Sequence, residues 1–442
     1  MKVAVAGTGY VGLVTGVALA HIGHNVTCVD IDENKVKRMN NGISPIYEED
    51  LEELMEKNKD RLNYTIDYNS AYKDADVIII GVGTPERHDG SANLDYVYKV
   101  TEQIANSVVK DCVVVVKSTV PIGTNDELEK YIKKHEKEGI HITVASNPEF
   151  LAQGTAVRDT LYASRIVVGT EDKEAAEIMK KMYLPLTRDP YNVPYIPMNR
   201  KSAEMVKYAS NDFLALKISY INEIANLCEK VNANIEDVTR GMGFDSRIGN
   251  KFLNAGIGYG GSCFPKDTKA LHWLSRMQDT EIKTIKACME VNKMQKIRLY
   301  EKLKDDCKDL KDLSVAVLGL TFKPGTDDLR EAPSIDNIEL LIDAGVHVKA
   351  YDPIGIENFK KAISSKITDD GITGTIEYFD NIDEAIKDCD AVMIMTEWNE
   401  IKSYNLNNYE KLMKTPNVYD GRNCYPLEEI KKTKIRYRSI GR

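Results

Sequence analysis

One cysteine in the sequence stands among residue types that favour a reactive thiol. Cys263 lies in the stretch GIGYGGSCFPKDTK, residues 256–269. An unperturbed thiol has a pKa of about 8.5 and is mostly protonated at neutral pH. Pro265 predicts a helix start directly after Cys263, where the helix dipole favours a thiolate, and Lys266 adds a positive charge. Isolated cysteines are usually small buried hydrophobes, so the local sequence leaves both interpretations of Cys263 open.

The other cysteines lack such surroundings. They lie singly within strand or helix patterns, without CxxC pairs or Cys/His groups of metal-ligand spacing. We therefore expect neither a disulfide framework nor a metal site, and we interpret His21 and His24 as helix-end and turn residues. The side chains predicted to be small and buried are Cys28, Cys112, Cys228, Cys288, Cys307, Cys389 and Cys424.

A glycine-rich turn near the N-terminus predicts a dinucleotide site. The turn, Gly7-Thr-Gly9-Tyr-Val-Gly12, lies between a first strand and a helix, and a second strand ends at Asp30. The glycines suit a tight turn, a close approach of the backbone to pyrophosphate, and close helix packing. The helix N-terminus offers N–H groups to the phosphates, while Asp30 suits the ribose hydroxyls and repels a 2'-phosphate. NAD is the predicted cofactor, and the alternative is a glycine turn that only closes an ordinary βα unit.

The elements that carry these residues alternate between strand and helix patterns. A helical apolar period without Gly or Pro fills residues 200–235. The predicted fold class is α/β, with two Rossmann-like doubly wound domains joined by a long central helix and a helical middle region, and boundaries at 1–199, 200–305 and 306–442. Buried parallel strands are predicted at 2–7, 25–30, 76–82, 112–118, 141–146 and 165–169, and again at 314–320, 347–352, 391–396 and 417–422.

Loops at the carboxyl ends of two predicted strands are candidates for cofactor contact. They carry the sequences GVGTPE, residues 81–86, and KSTVP, residues 117–121. Such loops are where parallel α/β sheets bind ligands. A turn-forming role suits any one of these residues almost as well.

Composition limits the class of protein. The chain has 442 residues, of which 43% are hydrophobic and 29% charged, and a net charge of -9. This charge argues against a nucleic-acid-binding surface, and no apolar run reaches the roughly 18 residues that a membrane span needs. The first residues enter a strand directly, which leaves no room for a secretory signal. We expect a cytoplasmic enzyme or binding protein with no nucleic acid and no membrane as partner.

Four long motifs give the chain a resemblance to a known family. They are GTGYVG, SNPEFLAQGTA, RIGNKFLNAGIGYGGSCFPKD and LGLTFKPGTDDLREAPS, in this order. Together they resemble the UDP-glucose/GDP-mannose dehydrogenase family from residue 1 to about residue 425. The resemblance implies an NAD-binding N-terminal domain, a central dimerising helical region and a C-terminal domain that holds the nucleotide sugar.

The resemblance also implies a reaction. The C6 alcohol of UDP-glucose would be oxidised to the carboxylate of UDP-glucuronate with two NAD, through a covalent thiohemiacetal and thioester on Cys263. The implied assembly is a cytoplasmic homodimer. GDP-mannose and a UDP-N-acetylhexosamine are the alternative substrates. The motifs NPEF and GGSC resemble the glucose and mannose branch, and RIGNKFL favours UDP-glucose.

Catalytic roles follow from the resemblance residue by residue. Lys207 and Asn211, one turn apart on a predicted helix, would stabilise the oxyanions. Glu149 in NPEF would be the general acid or base, and Asp267 with Thr119 would orient water and support proton transfer. The local sequence alone also allows Lys207 to be a solvated helix lysine and Asp267 to be a first-turn acid.

The resemblance assigns binding roles to two further sets of residues. Position 153 is Gln where many relatives carry Glu or Arg, and position 35 is Lys where some carry Arg, so a bidentate contact becomes a point charge. In this family Arg247 can reach the partner subunit's site. The implied cofactor contacts are Gly7, Gly9, Tyr10, Val11, Gly12, Asp30, Lys35, Thr84, Pro85, Thr119, Gln153, Lys266 and Arg330. The implied substrate contacts are Glu149, Phe150, Leu151, Gln153, Lys207, Asn211, Arg247, Asn254, Gly256, Tyr259, Gly260, Phe322, Lys323 and Arg422.

Two other classes of function stay open at this point. A two-electron dehydrogenase of the hydroxyacid type also joins a Rossmann domain to a long helix, but it needs neither a cysteine nor a second α/β domain. A non-catalytic nucleotide sensor would keep the fold and tolerate replacement of Cys263.

Overall fold

The computed structural model describes residues 1–364 and 374–442. The described chain forms two compact units, Met1–Ser210 and Asn211–Arg442. No helix in these residues has the length and hydropathy that a membrane span requires. The three-way division at residues 199 and 305 stays a prediction.

The first unit is built on an eight-stranded sheet. Its strands are β1 (Lys2–Ala6), β2 (Asn25–Val29), β3 (Leu62–Thr65), β4 (Val77–Ile80), β5 (Cys112–Val116), β6 (Ile142–Ser146), β7 (Ile166–Gly169) and β8 (Tyr195–Met198). The order across the sheet is β3-β2-β1-β4-β5-β6-β7-β8.

Helices cover both faces of this sheet. Val3 and Val5 pack into one apolar cluster, while Ala4 and Ala6 pack into another, because successive side chains of a strand point to opposite faces. The helices of this unit are α1 (Tyr10–His21), α2 (Glu33–Asn40), α3 (Leu51–Lys57), α4 (Tyr68–Tyr72), α5 (Asp95–Ser107), α6 (Thr124–His135), α7 (Ala156–Leu161) and α8 (Lys173–Tyr183), with a short 3-10 turn at Lys59–Arg61.

The six strands predicted for this unit are all present, with one correction. The contact between β6 and β7 is antiparallel, at Ser146 and Gly169, so the parallel direction predicted for residues 165–169 is wrong there. A fully buried strand has the same apolar pattern in both directions, which is why the sequence did not settle it. Strands β3 and β8 lie at or near the sheet edges and are only half-buried, and they were missed.

A long helix, α9 (Arg200–Val231), begins in the first unit and continues into the second, as the pattern at residues 200–235 predicted. The helical middle region continues with α10 (Ile235–Gly243), α11 (Phe264–Met277), α12 (Lys283–Lys296) and α13 (Arg298–Asp306).

The described residues of the second unit form a six-stranded parallel sheet. Its strands are β9 (Ser314–Leu318), β10 (His347–Tyr351), β11 (Thr375–Phe379), β12 (Ala391–Ile394), β13 (Asn417–Asp420) and β14 (Arg436–Arg438), in the order β11-β10-β9-β12-β13-β14. Its helices are α14 (Pro333–Asp343), α15 (Ile356–Ser364), α16 (Ile382–Ile386), α17 (Asn399–Lys402), α18 (Leu406–Leu412) and α19 (Leu427–Ile430). The strand order matches that of the first six strands of the chain, which is the dinucleotide-fold order. The prediction of two Rossmann-like domains joined by a long helix is confirmed.

Candidate active site

The glycine turn lies between β1 and α1, as predicted. Gly7 has a φ of 91°, which disfavours any residue with a side chain. A Cβ atom on Gly12 would lie 2.0 Å from the carbonyl oxygen of Gly7, so only glycine allows α1 to start this close to the strand. Gly9 caps α1, and a Cβ atom there would meet nothing within 4 Å. The first N–H groups of α1 therefore face open space, where a phosphate fits.

Asp30 directly follows β2 and is an ionised acceptor. One carboxylate oxygen accepts hydrogen bonds from the backbone N–H and the hydroxyl of Thr8, and the other accepts from Asp32 N–H at 3.0 Å. Burial raises the pKa of Asp30, but these hydrogen bonds and the charge of Lys35 outweigh it and lower the pKa overall. A fixed carboxylate beside a glycine turn fits the ribose of NAD.

The loops after β4 and β5 meet the glycine turn at the same sheet edge. The carbonyl oxygen of Gly81 lies 3.1 Å from the Cβ position of Gly7, and the Thr84 hydroxyl donates to the Thr119 carbonyl oxygen at 2.9 Å. The predicted cofactor contacts in these two loops thus lie together. Of the remaining predicted contacts in this unit, Tyr10 and Val11 are in the first turn of α1, Lys35 is on α2, Pro85 follows Thr84, and Gln153 is in the loop after β6.

Glu149 and Lys207 form a buried ion pair. Lys207 Nζ lies 2.8 Å from Glu149 Oε1, and the two side chains are 4% and 6% exposed. The second oxygen of Glu149 accepts from Leu151 N–H at 2.8 Å. Lys207 also lies 5.6 Å from the centre of the Phe150 ring, while the Arg165 guanidinium stacks on that ring at 3.8 Å. The NPEF motif and Lys207 therefore lie together.

A second buried amine lies beside this pair and was missed in the sequence. Lys117 donates to Asn147 Oδ1 at 3.0 Å, and the Tyr183 hydroxyl donates to the same oxygen at 2.5 Å. Burial lowers the pKa of Lys117 to about 8, with Lys207 adding to the shift and Glu149 opposing it. A lysine directly after the apolar run CVVVV is the signal that could have found it.

In the second unit, Cys263 is the N-cap residue of α11, and Pro265 lies in the first turn. Cys263 is exposed. Cys28, Cys112, Cys228, Cys288 and Cys389 are buried as predicted, whereas Cys307 and Cys424 are only half-buried. The Ser262 hydroxyl lies 3.7 Å from the Cys263 sulfur. An exposed thiol at a helix N-terminus is accessible and lies where the dipole favours its ionised form.

Asp267 lies one turn further along α11 and is 1% exposed. The Asn211 amide donates to its Oδ2 at 2.6 Å, and Lys266 Nζ lies 2.6 Å from its Oδ1. The backbone N–H of Asp267 donates to the carbonyl oxygen of Cys263 at 2.8 Å. Residues predicted from two separate motifs are thus joined at the first turn of the cysteine helix.

A cavity of about 1070 Å³ lies in the second unit. Arg422 spans one wall, with Nη1 donating to the Gly258 carbonyl at 3.0 Å and Nε to the Met395 carbonyl at 2.8 Å. Phe264, the residue after Cys263, also lines it. Seven of the predicted substrate contacts line this cavity: Asn254, Gly256, Tyr259, Gly260, Phe322, Lys323 and Arg422.

Two predicted arginine contacts are not among the lining residues. The Arg247 side chain is 86% exposed and pairs with Asp245, and the Arg330 side chain is 61% exposed and pairs with Asp328. We call residues 256–261, GIGYGG, the glycine loop. The Arg330 carbonyl oxygen accepts a hydrogen bond from Gly261 N–H at 2.7 Å, which connects the loop that contains Arg330 to the glycine loop.

The glycine loop packs closely against protein. Gly261 has a φ of 82°, and a Cβ atom there would lie 2.8 Å from the Phe322 ring. The glycines therefore bring the loop next to a predicted substrate contact, in addition to leaving room for a ligand.

Sequence reasoning missed several lining residues. Asn222 on α9 accepts from Gly256 N–H at 2.9 Å, and Arg240 on α10 and Lys251 add positive charge. Lys251 lies inside the quoted RIGNKF motif, while Asn222 and Arg240 lie on helices where the local pattern gives no such signal.

Protein-family models match three consecutive parts of the chain. Models of the UDP-glucose/GDP-mannose dehydrogenase family match the chain in three parts: the NAD binding domain at residues 1–187, the central domain at 201–294 and the UDP binding domain at 316–426. The first match and the geometry at the glycine turn and Asp30 identify NAD as the cofactor.

Several relatives span the full chain. It is 48% identical to UDP-glucose 6-dehydrogenase YwqF of Bacillus subtilis, with 100% of this chain and 98% of the relative covered. It is 45% identical to UDP-glucose 6-dehydrogenase of Rhizobium meliloti, with 100% of both chains covered. The solved structure of a UDP-glucose dehydrogenase from Pyrobaculum islandicum has a TM-score of 0.89 at 34% identity and covers 98% of this chain and 96% of its own. The chain belongs to the UDP-glucose/GDP-mannose dehydrogenase family.

Proposed function

We propose that the chain oxidises UDP-glucose to UDP-glucuronate, using two NAD and one water, with Cys263 as the nucleophile. Full-length relatives named UDP-glucose 6-dehydrogenase support the substrate and the reaction. One observation supports Cys263 as the nucleophile. The exposed Cys263 is the N-cap residue of α11, and the next residue, Phe264, lines the cavity. The first turn of this helix carries Asp267, which binds Asn211 and Lys266.

The reaction needs two oxidations at the same carbon. Bound NAD would supply the hydride acceptor for both. In the first oxidation the hydroxyl loses its proton and C6 loses a hydride, which leaves an aldehyde. Cys263 Sγ then forms a bond to C6, and the carbonyl oxygen becomes an oxyanion that is protonated or held by donors. After the second hydride has left, water attacks the thioester carbon, the C–S bond breaks, and the carboxylate and the thiol are released.

The chain's own residues would manage the charges in these steps. Lys207 and Asn211 supply a cation and an amide donor for the oxyanions. Glu149, held by Lys207, moves the hydroxyl proton, and Asp267 with Thr119 orients the water. A desolvated ion pair and a buried carboxylate with two fixed donors are pre-organised groups, which suits these roles.

The cavity residues would hold the nucleotide sugar. Lys323 and Arg422 provide the cations that a diphosphate requires despite the acidic total charge of the chain. By the family resemblance, contacts with the sugar would also come from Glu149, Phe150, Leu151 and Gln153. We assign Lys266 and Arg330, with Gln153, to contacts with NAD, as the family resemblance implies.

We also propose a homodimer formed through α9. Phe213, Tyr220 and Leu227 are 61%, 50% and 57% exposed and follow one another at intervals of seven residues, so they form one exposed apolar stripe. The exposed Arg247 would then reach the partner's site. Free thiols at all eight cysteines and a requirement for NAD support a cytoplasmic location.

The nucleophile is tested by replacing Cys263 with Ser. The parent should release two NADH per UDP-glucose. In Cys263→Ser the rate of UDP-glucuronate formation should fall by about a thousandfold or more, because serine cannot supply a thiolate that adds to the aldehyde. Product analysis and NADH absorbance measure both quantities. Cys307→Ser, a half-buried cysteine elsewhere in the unit, is the matched control.

Three results would contradict this proposal. They are a Cys263→Ser enzyme that still releases two NADH, a parent enzyme that stops at one NADH and an aldehyde, and a parent that oxidises only GDP-mannose or a UDP-N-acetylhexosamine.

A further inference from the structure

A buried carboxyl group without a hydrogen-bond partner lies next to the proposed site. Asp212 follows Asn211 on α9 and is 2% exposed. Both of its carboxyl oxygens are enclosed, and no donor among residues 1–364 and 374–442 reaches either of them. A buried carboxylate without donors is too costly to persist in the ionised form.

Another buried acid on α9, Glu204, has the hydrogen-bond donors that Asp212 lacks. Glu204 is 3% exposed, and its oxygens accept from Gly123 N–H at 2.6 Å, Asn125 N–H at 2.9 Å and the Asn125 amide at 2.6 Å. Asp212 has the same burial and none of these donors. The contrast indicates that Asp212 is built into the helix as a neutral acid.

The groups around Asp212 come from three elements. Asp267 and Lys266 act on it from α11, Tyr259 from the glycine loop and Cys288 from α12. Burial raises the pKa of both Tyr259 and Cys288, so these two stay uncharged near neutral pH. Burial and the negative charge of Asp267 raise the pKa of Asp212 to about 8, and Lys266 offsets only part of this.

The Lys266 amine and the Asn211 amide both donate to Asp267. Lys266 approaches its Oδ1 at 2.6 Å and Asn211 its Oδ2 at 2.6 Å. One cation therefore faces two carboxyl groups. The cluster is neutral when Asp212 carries a proton and has one excess negative charge when both acids are ionised.

We propose that Asp212 is a positioning residue that keeps its proton during turnover and so leaves Asp267 as the single anion of the pair. This inference rests on the proposed role of Asp267. When Asp212 ionises, its charge competes with Asp267 for Lys266. The same charge opposes the oxyanion that develops on the substrate. Turnover is therefore lost as the pH rises through the ionisation of Asp212.

The pH dependence of kcat tests the proposal. The parent should lose activity above a pH of about 8, while Asp212→Asn, which has the same shape and no ionisation, should keep its rate at pH 7 and move the alkaline limb up by about one pH unit or more. Asp305→Asn, an exposed acid on α13, is the control for general loss of negative charge and should leave the limb in place. Identical alkaline limbs in the parent and Asp212→Asn would overturn the proposal.

A spectroscopic measurement on the parent keeps the test decisive if the variant does not fold. Infrared spectra of the full chain labelled with carbon-13 aspartate should show a protonated carboxyl band at pH 7 that disappears as the pH rises to 9. Absence of that band would overturn the proposal.

A third variant separates this inference from the function on which it rests. Asp267→Asn should be inactive at every pH if Asp267 acts as proposed. Full activity of Asp267→Asn would refute the role of Asp267, whereas an inactive Asp267→Asn together with an unchanged limb in Asp212→Asn would refute the role of Asp212 alone.

Discussion

At the scale of single residues, each unit buries an ionisable side chain whose pKa lies close to neutrality. Burial lowers the pKa of Lys117 to about 8 in the first unit, and burial together with Asp267 raises the pKa of Asp212 to about 8 in the second. Both shifts favour the uncharged form. Perturbed groups of this kind cluster at functional sites, and both of these neighbour residues that the family resemblance assigns to catalysis.

Lys117 should make stability depend on pH with a defined sign. Burial lowers its pKa to about 8 in the folded protein, from the usual 10.5 of an unburied lysine. Between these two pKa values the unfolded chain therefore binds more protons than the folded protein, so the free energy of unfolding rises with pH. Below a pH of about 8, Lys117 is charged in both states, and its burial lowers the stability by the full amount. Lys117→Met should raise the melting temperature relative to the parent more at pH 7 than at pH 10, as measured by calorimetry.

The matched control is Lys73→Met, an exposed lysine of the same unit. Its effect should be small and independent of pH. If the difference in stability between Lys117→Met and the parent stays constant from pH 7 to pH 10, the lowered pKa of Lys117 is contradicted.

At the scale of elements, the positions of the inner strands were predicted, whereas the edge strands were missed. Strands such as β4 and β5 are apolar at every position because both faces of the sheet are covered by helices. Strands β8, β11 and β14 lie at sheet edges and are partly exposed, so their apolar pattern is weak. The start of α11 was predicted correctly because Pro265 favours the first turn of a helix.

Gly261 should be a sensitive position of the glycine loop because of its backbone conformation and its contact with Phe322. Gly261→Ala introduces a side chain at a positive φ and pushes it against the Phe322 ring. We expect a loss of about 2–4 kcal/mol in the free energy of unfolding, from backbone strain and overpacking together. The KM for UDP-glucose should rise, because Phe322 lines the cavity. Denaturant unfolding and steady-state kinetics measure the two effects.

Gly249→Ala separates strain from packing. Gly249 has a φ of 66°, and a Cβ atom there would meet nothing within 4 Å. This variant should lose only about 1 kcal/mol, from strain alone. Equal losses for the two variants would show that the contact with Phe322 contributes nothing.

At the scale of the whole molecule, the two sheets repeat one topology for different uses. Gly7 and Gly319 both follow a first strand at positive φ, and Asp30 and Asp352 both follow the second strand. In the second unit, however, Asp352 Oδ2 already accepts from Leu320 N–H at 2.6 Å and from the Trp398 indole N–H at 3.1 Å. This carboxylate is used within the protein, whereas the first unit matches the NAD binding domain.

The proposed dimer should depend on the apolar stripe of α9. Tyr220→Glu combined with Leu227→Glu places two charges in the stripe and should convert a dimer into monomers, because burying an unpaired carboxylate is costly. Light scattering coupled to size exclusion measures the mass. Met294→Glu, at a 70% exposed methionine on α12, is the control and should leave the dimer intact. A parent that is already monomeric, or a double variant that stays dimeric, would refute the proposed interface.

The sequence by itself determined the fold class, the dinucleotide turn and the family, because each rests on local patterns: apolar runs, glycine spacing and long contiguous motifs. It also named the residues that the structure joins in pairs, such as Lys207 with Glu149 and Asn211 with Asp267. Only the tertiary structure decided the direction of β7, the exposure of Cys263 and the cavity wall formed by Arg422. It alone showed the burial that shifts the pKa of Lys117 and of Asp212 towards the uncharged form. Strand direction, burial and proton affinity depend on neighbours that are distant in the chain, and local sequence patterns do not encode those neighbours.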